Sequence, residues 1–85
     1  MYRKTASMTI TALAAAAEED VTITDAQVRP GDVVVVTTTA APETGLAILQ
    51  AWCTAAGTIS VRISNMNAAT ALTAGAVSVR YCVLR

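Results

Sequence analysis

Histidine is absent from this chain, and its absence removes the commonest general base and the commonest metal ligand. No Ser-His-Asp or Cys-His arrangement can be built. Phenylalanine is absent too, and the only aromatics are Tyr2, Trp52 and Tyr81. Charged residues make up 14% of the chain, against about 25% in ordinary soluble domains. The six basic residues, Arg3, Lys4, Arg29, Arg62, Arg80 and Arg85, are scattered and form no phosphate-tracking stripe, which disfavours a nucleic-acid partner. No apolar run approaches the roughly 20 residues of a membrane span, and Thr5 to Thr11 is too polar for a secretory core. The four glycines are spaced singly, so no phosphate loop or dinucleotide fingerprint is present. The two cysteines have no CxxC or Cys/His spacing for a metal. Cys53 and Cys82 read as small buried hydrophobes, with a disulfide open to them only if their strands are neighbours. The six carboxylates all fall in or beside expected turns, and Glu18, Glu19 and Asp20 read as a solvated turn. Asp25 and Asp32 bracket Pro30-Gly31 and read as caps for local backbone N–H groups. These absences predict no enzyme, no cofactor, no metal and no small-molecule substrate.

What remains is small, apolar and β-branched. The chain has 85 residues, of which 54% are hydrophobic, mostly Ala and Val. A domain of this size buries only about 60% of the surface its unfolded chain exposes, so surplus apolar area seeks a partner. Alternation predicts strands at residues 5–13, 21–24, 33–39, 46–54, 58–64 and 76–84. Ile59, Val61 and Ile63 form one inward face; Val77, Val79, Tyr81 and Val83 form another. Residues 14–20 read as a loop with one possible turn, and Pro30-Gly31 as a turn. Residues 46–54 also fit helical spacing, but their shortness and β-rich surroundings favour a strand. Alternation there places Leu46, Ile48 and Trp52 together. With no helix for a parallel crossover, the expected fold is all-β: a small antiparallel β-sandwich or partly closed barrel of about six strands. Residues 1–4 are expected as an N-terminal arm or edge extension, and residues 5–85 as a single β domain.

Val33, Val34, Val35 and Val36 predict a strand that is apolar on both faces, one toward the core and one toward another chain. Trp52 reads either as a core anchor or as an exposed interface residue. Arg62 and Arg80 sit outward on the two cleanest strands, to pair across strands or to meet acidic groups of a neighbour. The expected interface set is Tyr2, Arg3, Lys4, Val34, Val36, Trp52, Arg62 and Arg80.

The segments VRPGDVVVV (residues 28–36), Pro42 with Gly45, AWCTAAGTISVRISN (51–65) and GAVSVRYCVLR (75–85) together resemble a group of small bacteriophage virion proteins. These are head-decoration or short head-fibre proteins. The resemblance implies a β-rich subunit on the virion surface, assembled in the host cytoplasm, without catalysis or cofactor. It implies a capsid decoration (cement) protein whose partners are its own copies, as a homotrimer, and a major capsid protein. The alternative is a receptor- or glycan-binding module of a phage fibre or tail.

Overall fold

The computed structural model describes residues 1–84. Six strands appear in chain order: β1 (Tyr2–Ile10), β2 (Glu18–Thr24), β3 (Val33–Thr38), β4 (Leu46–Ala55), β5 (Thr58–Asn65) and β6 (Gly75–Leu84). They form two three-stranded sheets, ordered β1-β6-β3 and β2-β5-β4, and every hydrogen-bonded pair is antiparallel. The fold is thus the expected small β-sandwich. β1 pairs with β6 and β2 with β5, while β3 and β4 lie against each other across the layers. This is a long hairpin rolled up on itself, a jelly-roll wrap shortened to six strands. Only β4 to β5 is a direct hairpin; the other four connections cross between sheets.

The core follows the period of two. Met8, Ile59, Val61, Ile63, Val79 and Val83 have no exposed surface, and Ile10, Ile23, Val28, Leu72 and Tyr81 join them. With no Phe to fill the middle, Met8 supplies the adaptable bulk. The middle strand of each sheet, β5 and β6, carries the cleanest inward stripe because it is paired on both sides.

Several expectations are corrected. Of the two expectations for the N-terminus, the edge extension holds and the separate arm does not: Tyr2, Arg3 and Lys4 pair with Val83, Cys82 and Tyr81, so edge strand β1 passes through position 4 without a boundary. Glu18, Glu19 and Asp20 are not a turn but the first half of β2, opposite Ser64, Ile63 and Arg62. Leu46 and Ile48 pack on the core, whereas Trp52 does not share their face. The cause is a register shift between Ile48 and Gln50: an extra residue moves the inward set to Ala51 and Cys53. Cys53 and Cys82 are both free; their strands belong to different sheets.

Candidate functional site

The outer face of the β1-β6-β3 sheet is built by cross-strand rows. Leu84 lies beside Val33; Arg3, Cys82 and Val35 form one row; Thr5, Arg80 and Thr37 form the next. Val33 and Val35 are 56% and 55% exposed, and Leu84 is exposed beside them. Arg3 and Arg80 form no ion pair among the described residues, and no carboxylate stands in these rows. The result is a patch of branched apolar side chains flanked by two uncompensated guanidinium groups. Its one hollow, about 370 Å³ between Arg3, Lys4, Thr5 and Arg80, is shallow and open, so the patch suits a protein surface better than a small molecule.

The outer face of the other sheet is internally satisfied. Arg62 Nε donates to Asp20 Oδ1 at 2.9 Å, and its guanidinium lies 5.0 Å from the centre of the Trp52 ring. The Asp20 partner raises the Arg62 pKa further above its ordinary value. Gln50, Trp52 and Arg62 line a shallow hollow there.

A third feature looks chemical but is closed. Asp25 accepts hydrogen bonds from Tyr81 (2.7 Å), Tyr2 (2.9 Å), Lys4 (3.4 Å) and the Gln27 backbone N–H (2.9 Å). Burial alone would raise its pKa. The Gln27, Tyr81, Tyr2 and Lys4 hydrogen bonds outweigh that and bring it to about 2. Burial and the Asp25 carboxylate push Tyr81 well above the usual phenol range. The Asp25 side chain has no exposed surface, so no substrate atom can reach it. It is a pin, holding one end of the β1–β6 pair, through both of its strands, to the turn after β2.

A cleft of about 320 Å³ opens at the end of the sandwich where β3 leaves and β6 enters, between residues 38–43 and 73–78. Its one carboxylate, Glu43, is taken up by the Thr73 N–H and hydroxyl. No group of three or more His, Cys, Asp or Glu that could hold a metal occurs among the described residues. Nor is any helix there long and apolar enough to cross a membrane.

The expected interface set is therefore dispersed. Arg3 and Arg80 stand together on the outer face of the first sheet. Trp52 and Arg62 are stacked on the outer face of the second. Tyr2 and Lys4 serve the Asp25 pin. Val34 is buried and Val36 is half-buried against the core, so these two valines are not the outward pair. Val33 and Val35 are. Four consecutive valines show no alternation of their own; the register with β6, placing Val34 on Val83 and Val36 on Tyr81, decides which two turn in.

Comparison with known protein families, curated proteins and solved structures finds no match to this chain.

Proposed function

We propose that this protein is a structural subunit of a bacteriophage particle, binding the outer capsid shell as an oligomer and cementing it. The observation that carries the reading is the outer face of the β1-β6-β3 sheet. It offers Val33, Val35 and Leu84 for burial and Arg3 and Arg80 for carboxylates of a major capsid protein. Binding to the assembled shell and not to its dissociated subunits raises shell stability by mass action. The virion surface is the corresponding location, and the proposal requires no catalysis or cofactor. The jelly-roll wrap serves viral coats and lectins alike, so the wrap by itself does not choose between them.

The test is to strip the protein from particles, restore it, and follow genome release on heating. Restored particles release at higher temperature, and an Arg80→Glu protein, folded but reversed in charge, fails to restore them. Equal release temperatures at confirmed full occupancy would sink the cement role.

A glycan- or receptor-binding role in a fibre or tail is favoured by one feature, the hollow at Gln50, Trp52 and Arg62. Its aromatic face is already engaged by Arg62, so a sugar must displace that cation. Glycan-array binding abolished by Trp52→Ala is the result that would favour this reading.

A further inference from the structure

A sandwich of two three-stranded sheets has four edge strands, here β1, β3, β2 and β4. An unprotected edge invites pairing with another chain, and proteins blunt edges with charges, prolines or bulges. Three of these edges are blunted. β1 carries Arg3 and Lys4. β2 carries Glu18, Glu19 and Asp20, and Glu19 bridges to the Thr11 N–H and hydroxyl just past β1. β4 is interrupted by two register shifts.

β3 has none of these devices. Its sequence VVVVTT contains no charge, no proline and no glycine, and its ladder with β6 is unbroken from Val33↔Leu84 to Thr38↔Val79. The Thr39 N–H donates to Ser78 O at 3.1 Å, continuing that ladder. In an antiparallel pair the inward-bonding residues alternate, so Val33, Val35 and Thr37 also bond toward β6. The N–H and C=O groups of Val34, Val36 and Thr38 therefore face the open side. That side is not sealed by the opposite sheet: an open groove of about 240 Å³ runs there between Val36–Thr38 and Pro42, Leu46 and Ile48.

We infer that β3 is the edge through which two copies of this chain pair, antiparallel about a two-fold axis. An antiparallel edge is self-complementary under a two-fold. Setting Val36 opposite Val36 of the second copy places Val34 opposite Thr38, giving about six main-chain hydrogen bonds. The outward Val35 side chains become diagonal neighbours, within packing reach. No charge within the strand meets a like charge, and Asp32 falls opposite Ala40 of the second copy. The two sheets join into one of six strands, and the two apolar-basic patches merge into one face. Pairing rests on the assembly half of the proposed function and is independent of the shell as partner.

The experiment measures the mass of the full chain by sedimentation from about 1 μM to about 1 mM, a range that brackets weak and firm dimers. Amide hydrogen exchange is followed at both ends of the range. The expected result is a dimer at high concentration, with exchange at Val34, Val36 and Thr38 slowed roughly tenfold or more relative to the dilute protein. Val36→Pro removes an N–H that bonds to nothing within one copy, a position where an edge strand tolerates proline. It is expected to fold and remain monomeric. Val35→Lys, which sets two like charges side by side across the axis, is the second variant should the proline disturb folding. A monomer over the whole range, a trimer, or a dimer in which those three amides exchange freely overturns the inference. A dimer that does not bind the shell leaves pairing standing and removes the cement role. A shell-binding monomer does the reverse.

Discussion

The two ends of the sandwich are each tied by one buried polar residue, and they do it by opposite electrical means. At one end Asp25, a carboxylate, gathers the hydroxyls of Tyr2 and Tyr81, the Lys4 ammonium and its own turn. At the other end Asn65, fully buried, shares its Nδ2 hydrogens among the carbonyls of Leu13, Ala14 and Thr70, while its Oδ1 accepts the Asn67 N–H. Among the described residues, no buried side-chain polar atom is left unpartnered at either end. The donors at the first end call for an anion; the carbonyls at the second call for a neutral donor. A crossing sandwich needs such pins because its connections carry backbone groups that no sheet satisfies. Gly45 shows how tightly the Asn65 end is built: with φ of +99°, a Cβ there would lie 2.7 Å from Asn65 Oδ1.

The largest expected effect comes from erasing the electrical difference. Asn65→Asp sets a carboxylate against three carbonyl oxygens, an unpaired buried charge that costs about 3–5 kcal/mol at neutral pH. Its pKa is raised in the folded state, so the loss is greatest above that pKa and shrinks as pH falls. Urea unfolding at several pH values reads both the size and the sign. A variant as stable as the parent would mean that the Asn65 end is not held by its donors.

Acid distinguishes the ends next. Asp25 has a folded pKa of about 2 against an ordinary 3.8, so its contribution is fully present above about 4 and is lost as pH falls toward 2. The displacement corresponds to roughly 2 kcal/mol. Asp25→Asn removes that part of the acid dependence, while the Asn65 end contributes none. Thermal melts of parent and variant between pH 5 and about 2 check this, and an unchanged acid slope in the variant would contradict it.

The smallest effect sharpens the second end alone. Ala16 adopts φ of 59°, a left-handed conformation, where its N–H donates to Asn67 O. Ala16→Gly relieves that strain and is expected to raise stability by about 0.5–1 kcal/mol. A fall in melting temperature would show that the greater unfolded-state entropy of glycine outweighs the strain relieved.

Much of the fold is legible in the sequence, for local reasons. Ile59, Val61 and Ile63 against Ser60 and Arg62, and Val77 to Val83 on alternate positions, announce half-buried strands through a period that tertiary structure does not alter. Asp25 and Asp32 were legible as caps from the turn they flank, and both do cap: Asp25 accepts the Gln27 N–H and Asp32 the Arg29 N–H. The reach of Asp25 to Tyr2 and Tyr81, at 23 and 56 residues' distance, was not, because nothing local marks it. Asn65 was hidden for the same reason, a single amide at a strand end whose acceptors lie in two separate loops.

The composition and its alternation by themselves determined that this chain is all-β, thinly cored and without histidine chemistry. Those properties depend on residue type and on a two-residue period. Only the tertiary structure decided which valines face out, where Trp52 points, that the cysteines stay apart and which edge is left bare. Each of these turns on register: one inserted residue near Leu49, or the alignment of β3 on β6, decides which of the neighbouring side chains turn in. Register is set by long-range pairing, which no local window of sequence contains.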